Sequence, residues 1–287
     1  MSILIADGGA TSTTWAEIKG DQEQILRTSG INPAIKVNAE IEAVVFDELG
    51  PLINSSIVDT IYFYGAGCAD FNRAQRMKKV LSEAFRNAQI IIKTDIEAAG
   101  ISAFGNKTGI VAISGTGSSA GFMDGGTLVD IMPSKAYPEG DFASGAHIGS
   151  LIMMDFYEGN APVEIKKLIE SRRRLTIDQL FVLFQDPTKS KMIASKVLAD
   201  VVTSSEFDNP IHKDYLKRLV NQSLDPFFDQ LKSHFRNALA LQSLRFIGGT
   251  VAVFETEFRE YFRKKGLIID DVQRTPIHGL IGFHKDQ

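Results

Sequence analysis

The sequence predicts an α/β protein of two similar domains, each built on the element order βββαβαβα, with a helical insertion in the second. Three observations carry that expectation. An apolar run that ends in a small-residue loop occurs twice, at residues 3–12 and 109–119. Each loop returns into further β-branched, partly alternating residues before any helical pattern begins. A long stretch of helical periodicity, about residues 160–241, interrupts only the second copy.

In the first copy, residues 3–6 make a short apolar strand, which Asp7, Gly8, Gly9, Ala10, Thr11 and Ser12 break. Residues 13–18 return as a second strand, so the pair reads as a β-hairpin. Gly20 and Asp21 turn the chain again, and residues 24–29 complete an antiparallel meander. Asn38 is placed to cap a helix through Leu49, because Ile41, Val44, Val45 and Leu49 recur at helical spacing and Gly50-Pro51 ends it. A strand at 60–64, a helix at 72–87, a strand at 89–93 and a short helix at 96–104 follow.

The second copy repeats the plan: strand 109–113, the loop Ser114, Gly115, Thr116, Gly117, strand 118–123, strand 128–132 and a helix at 144–157. After the insertion come a strand at 244–247, Gly248-Gly249-Thr250, a helix to about 262, a strand at 267–269 and a last helix. Within the insertion Leu216, Leu219, Val220, Leu224, Phe227, Phe228 and Leu231 keep helical spacing, and Pro226 is expected to kink or divide that helix. We read the insertion as core and interdomain packing. The basic runs 172–174 and 263–265 read as solvated surface. The stretch Asn106, Lys107, Thr108 is the natural boundary, giving domains 1–107 and 108–287.

Composition narrows the function classes. The 287 residues are 44% hydrophobic and 23% charged, which suits an ordinary globular protein. Thirty-one basic against 35 acidic residues leave a net charge of -4, a poor match to a broad nucleic-acid-binding or lipid-binding face. Cys68, the single cysteine, excludes an intrachain disulfide, a CxxC redox pair and a cluster supplied by several cysteines of one chain. With no leader-like start and no apolar run near the ~18 residues of a membrane span, a cytoplasmic location is expected.

The two loops carry the first chemistry. Asp7 stands at a strand end before Gly8, Gly9, Thr11, Ser12 and Thr13, whose backbone N–H groups can approach a phosphate while the carboxylate holds Mg²⁺ through water. A hairpin turn uses the same residue types. The second loop, Gly115, Thr116, Gly117 and Ser118, stands at the equivalent place, so two facing loops are expected to grip a triphosphate.

With these loops in order, the chain resembles the acetate and sugar kinase, Hsc70 and actin superfamily. Within it, the chain is most similar to the N-acetylglucosamine kinase and BadF/BadG/BcrA/BcrD-type ATPase family. The motif order covers nearly the whole chain: the Asp7 loop, Asn32, Asp95, the Ser114–Ser119 stretch, Gly140-Asp141, and Gly248-Gly249-Thr250 as adenosine motif. The resemblance implies two ribonuclease-H-like (actin-like ATPase) domains, ATP and Mg²⁺ as cofactors, and transfer of the γ-phosphoryl group to a hydroxyl of an amino sugar, N-acetylglucosamine first.

It also implies roles for single residues. Asp95, at a strand's carboxyl end, would take the proton from the sugar hydroxyl, as a positioned base must when an alcohol attacks phosphorus; on its own it is equally a helix N-cap. Asn32, otherwise a turn residue before Pro33, would bind sugar hydroxyls, which an amide suits because both groups donate and accept. Asp141 and Ser118 would touch sugar too. Gly248 and Gly249 open a helix, a setting for a nucleotide or simply for close strand–helix packing. The sequence departs from the sugar-binding motif at Phe142, where the family has Glu, and along the 132–138 loop.

Alternatives remain in other classes: an ATPase coupled to a partner protein, as in BadF-type members, or a non-catalytic sugar or nucleotide sensor. A homodimer is a further implication of the resemblance; neither nucleic acid nor membrane is expected as partner. Cys68 reads as a small buried residue, and the five histidines show no paired metal spacing.

Overall fold

The computed structural model describes residues 2–135, 137–239 and 243–285, with the backbone alone at residue 206. They divide into two compact units. One comprises the chain up to Lys107, Asp124–Leu128 and the chain from Thr275 onward; the other comprises Thr108–Met123 and Val129–Arg274.

The first unit holds β1 (Ser2–Gly8), β2 (Ser12–Lys19), β3 (Gln22–Ser29), α1 (Asn38–Ala43), β4 (Thr60–Gly65), α2 (Phe71–Ala84), β5 (Gln89–Thr94) and α3 (Asp95–Phe104). Its sheet order is β3-β2-β1-β4-β5. The meander β1–β2–β3 is antiparallel, and β4 and β5 add in parallel. β2 lies in the middle of its side of the sheet and is buried along most of its length: Trp15 points into the core, fully buried, and its indole N–H donates to Thr28 Oγ1 at 3.0 Å. A buried ring with a satisfied N–H contributes its whole apolar area, on the order of 2–3 kcal/mol. Leu4, Ile31, Phe63 and Phe85 complete that core.

The second unit opens with β6 (Gly109–Ser114), β7 (Ser118–Asp124), β8 (Thr127–Ile131) and α4 (Gly145–Glu158). The insertion supplies α5 (Val163–Arg173), α6 (Ile177–Phe184), α7 (Ser190–Val202), α8 (Pro210–His234) and α9 (Arg236–Leu239); its expected end at Leu241 lies outside the described residues. Then come β9 (Leu244–Ile247), α10 (Gly249–Val253), α11 (Glu255–Lys264), β10 (Asp271–Gln273) and α12 (Ile277–Lys285). The second sheet, order β8-β7-β6-β9-β10, reproduces the first strand for strand.

Several elements differ from expectation. The last helix packs in the first unit, where Gly279 lies so close to α3 that a methyl there would stand 2.6 Å from the Ser102 carbonyl oxygen. The last strand is Asp271–Gln273, not 267–269: Ile269 turns into the core, and the parallel ladder to β9 is made two residues later. Asn38 lies inside α1, whose preceding N–H at Val37 is satisfied by Glu40 at 2.9 Å; beyond Ala43 the helix widens into a π-helical turn, Val44–Leu49. Pro226 does not divide α8, because Leu224, Phe227, Phe228 and Leu231 are buried around it and hold the helix to the core. Arg172 and Arg173 are not simply solvated, since Arg172 donates to the Asp200 carbonyl at 2.9 Å and Arg173 to the Asp200 carboxylate at 2.5 Å.

Candidate functional site

In the first unit the strand register gathers the predicted residues at one end of the sheet. Asp7 lies level with Tyr64, Gly8 with Gly65, and Gly65 with Thr94, so the β1–β2 loop, the chain after β4 and Asp95 all stand at the carboxyl ends of parallel strands. Open α/β sheets collect ligands at such ends.

Burial pushes the Asp7 carboxyl up to about 6. The Thr275 hydroxyl, which donates to Oδ2 at 3.2 Å, pulls the other way, and the charge of Asp95 adds to the rise. Thr275 has no counterpart among the predicted site residues; it precedes the last helix in no motif. Asp95 is the first residue of α3 rather than its cap. Thr94 caps the helix, its hydroxyl accepting from the Glu97 N–H at 3.3 Å while the Glu97 carboxylate receives the Thr94 N–H at 2.9 Å. Asp95 Oδ1 accepts from the N–H of Ile96 at 3.0 Å.

The loop itself is tightly tied. The Gly9 N–H donates to the Ser12 carbonyl at 3.1 Å, and Gly30, whose N–H donates to Thr11, backs the loop so closely that a methyl there would stand 2.4 Å from the Ala10 oxygen. Thr11 and Ser12 are exposed. Gly8 is buried on Phe63, and Thr13 corrects the expectation of a phosphate ligand: it is fully buried, and its hydroxyl accepts from the Ile31 N–H at 3.0 Å. Asn32 forms an Asx turn, Oδ1 accepting from Ala34 at 2.8 Å, and the Arg76 guanidinium holds that turn through the carbonyls of Pro33 and Lys36. Gly67, with φ +85°, lets the next loop pass the Asn32 side chain. Cys68 is buried, its thiol pushed up to about 12 by burial and by Asp95, which removes it as a nucleophile.

In the second unit the same end of the sheet carries the second loop, Gly248-Gly249-Thr250 and Asp141. Ile113 and Ile247 are level in the parallel pair β6–β9. Gly248, at φ +139°, presses on the loop, where a methyl would stand 2.2 Å from the Ser114 carbonyl oxygen. The buried Thr250 hydroxyl donates to the Gly115 carbonyl at 2.8 Å, and the Gly145 N–H donates to that same carbonyl. Thr116 and Gly249 are exposed, and methyl groups on Gly115 or Gly249 would meet nothing within 4 Å.

Asp141 is buried with a left-handed backbone, φ +58°, as is Ala143 at +63°; for residues other than glycine such conformations cost about 1 kcal/mol or more and concentrate at functional sites. The turn is held by the Ser223 hydroxyl, which accepts from the Ala143 N–H at 3.0 Å and lies 2.7 Å from His147 Nδ1. Phe142, in place of the expected acid, packs edge-on against His147. Burial lowers the His147 pKa. The two oxygens of Asp141 have partners: Oδ1 accepts from the Ser118 N–H at 3.0 Å, and Oδ2 from the Lys191 ammonium at 2.6 Å. Lys191 comes from α7, in the insertion expected only to pack.

Two five-stranded sheets of one topology, each with a glycine-backed loop at the carboxyl ends of its strands, define an actin-like ATPase fold. Solved proteins that share this fold include sugar kinases and MreB. A solved structure from Porphyromonas gingivalis, provisionally named an N-acetylglucosamine kinase, is 26% identical and superposes with a TM-score of 0.87 over 99% of both chains. Another of the same provisional name, from Chromobacterium violaceum, is 17% identical with a TM-score of 0.72 over 98% of both. A ROK family glucokinase from Streptomyces griseus, solved with glucose and AMPPNP, is 15% identical with a TM-score of 0.65 over 99% of this chain and 98% of its own. No protein-family profile and no curated protein sequence matches the chain.

Proposed function

We propose that this protein is an ATP-dependent sugar kinase that transfers the γ-phosphoryl group to a hydroxyl of an amino sugar, with N-acetylglucosamine as the first substrate. One observation carries the reading: Asp7, Asn32 and Asp95 stand at the same end of the first sheet, close enough for the charge of Asp95 to act on Asp7. The likeness to the Porphyromonas protein supports the sugar. In this reading Asp95 accepts the proton of the sugar hydroxyl as its oxygen attacks the γ-phosphorus, and the bond from phosphorus to the bridging oxygen of ADP breaks. Thr94 caps the helix, and Asp95 Oδ1 adds one bond to the first-turn N–H of Ile96.

Mg²⁺ fits the residues present. Among the described residues no three His, Cys, Asp or Glu side chains form a metal cage. A carboxylate raised by burial and by a neighbouring acid suits a hydrated divalent cation shared with phosphate oxygens, and Asp7 would hold it through water. When bound, the cation neutralises phosphate charge. In the second unit the exposed Thr116 and the open Gly115 and Gly249 would line the nucleotide; in the first, Thr11 and Ser12 are exposed.

A second reading, ATP hydrolysis coupled to a partner protein, is favoured by the Asp141 turn, where both carboxylate oxygens are engaged and Phe142 replaces an acid. One experiment separates the two. The protein is incubated with ATP, Mg²⁺ and a panel of N-acetylglucosamine, glucosamine, N-acetylmuramic acid, N-acetylmannosamine and glucose, and ADP and phosphosugar are both measured. ADP and one phosphosugar in equal amounts support the kinase; ADP with no phosphosugar replaces it with the ATPase.

A further inference from the structure

The helical insertion places a cation where packing alone has no need of one. Lys191, second residue of α7, directs its ammonium to the Gly117 end of the second loop: a methyl on Gly117 would stand 3.2 Å from Lys191 Nζ and 2.8 Å from Asp141 Oδ1. Asp141 links the two, receiving the loop's Ser118 N–H on one oxygen and the ammonium on the other. The Lys191 side chain nevertheless keeps 45% of its surface open. An ammonium has three donor hydrogens, and Asp141 takes one contact.

The loop also has a direction. Its Gly115 end is joined to the adenosine motif, through the Thr250 hydroxyl and the close approach of Gly248 to Ser114. Its Gly117 end is joined to Lys191 and Asp141. With the nucleoside at Gly248–Thr250, as in the kinase reading above, the phosphate chain would run along the loop towards Lys191 and bring its last phosphoryl group to the ammonium.

We propose that Lys191 is the residue that reads the terminal phosphoryl group of the bound nucleotide and so selects triphosphate over diphosphate. Asp141 is then a positioning residue, which fixes the ammonium against the loop. This rests on the kinase reading above. Charge-assisted bonds to phosphate are stronger than neutral ones, and for a half-exposed ammonium the expected effect is roughly tenfold in affinity.

The test measures binding of AMPPNP and of ADP, each with Mg²⁺, to the wild type, Lys191→Met, Lys191→Arg and the double variant Asp141→Asn/Lys191→Met. The wild type should prefer AMPPNP; Lys191→Met should lose roughly tenfold for AMPPNP while ADP changes less than about twofold, and Lys191→Arg should keep most of the preference. The double variant leaves no buried carboxylate without a partner, so it keeps the test sound if the single variant folds poorly, and it should show the same selective loss. Unchanged AMPPNP affinity in either Met variant, or equal losses for both nucleotides, overturns the role of Lys191 alone. A wild type that binds neither nucleotide overturns the kinase reading, and this inference with it.

Discussion

The two loops stand at the same place in a repeated plan and lie among different charges. The first is flanked by acids, Asp7 raised to about 6 with Asp95 adding to the rise. The second has the Lys191 ammonium paired with the carboxylate of Asp141. Both are backed by a glycine at near-contact distance, Gly30 in one and Gly248 in the other. A duplicated backbone thus carries different side chains around its equivalent loops: two acids in the first unit, an ammonium paired with a carboxylate in the second.

The sharpest way to break this contrast is to remove the base. Asp95→Asn should reduce phosphoryl transfer at least roughly a hundredfold while nucleotide affinity stays near that of the wild type. Turnover close to normal would take Asp95 out of the mechanism.

Removing the raised acid of the first loop gives the next effect. The folded state holds the Asp7 proton more tightly than the unfolded chain, so this group's contribution to stability is present below about pH 4 and is lost as pH rises to about 6. The loss is at most about 3 kcal/mol. His284, lowered to about 4 by burial and by Lys93, acts in the opposite direction over an overlapping range. The comparison is therefore the difference in thermal stability between Asp7→Asn and the wild type, which should be small at pH 4 and favour the variant above pH 6. A difference that does not change with pH would refute the shift.

The backing glycines should respond alike but unequally. Gly248→Ala forces a methyl onto the Ser114 carbonyl at a φ that only glycine readily takes, and should cost about 2–3 kcal/mol in chemical denaturation. Gly30→Ala should cost less, having the contact without the positive φ, and Gly249→Ala, in open space, within about 0.5 kcal/mol of zero. The helix start separates two neighbours: Thr94→Ala should lose about 1 kcal/mol, whereas Asp95→Asn should leave stability nearly unchanged. The reverse order would make Asp95 the cap and weaken its role as base.

How much of this was legible depended on whether the signal was local. The strands around both loops announce themselves through short apolar runs broken by Asp7-Gly8-Gly9 and Ser114-Gly115, which is why the repeated topology was readable. The last strand was misplaced because Leu267 and Ile269 are apolar for packing, while the ladder is made by Asp271–Gln273, whose composition is polar. Pro226 looked like a break, yet tertiary burial on α8 outweighs one missing backbone donor. Thr13 looked like a loop ligand because residue type does not reveal which face of a strand is buried. Lys191 and Thr275 had no legible signal at all: each meets its carboxylate across a long separation in sequence, with no motif around it. The Asp141 turn was half legible, as Gly140-Asp141 marked the place but not the left-handed backbone.

The most direct test of the central claim follows the γ-phosphoryl group itself. With γ-labelled ATP, Mg²⁺ and N-acetylglucosamine, the account predicts label in phosphosugar with the wild type and almost none with Asp95→Asn, at equal nucleotide binding. Label recovered as inorganic phosphate, at a rate indifferent to the sugar and to Asp95, would contradict it.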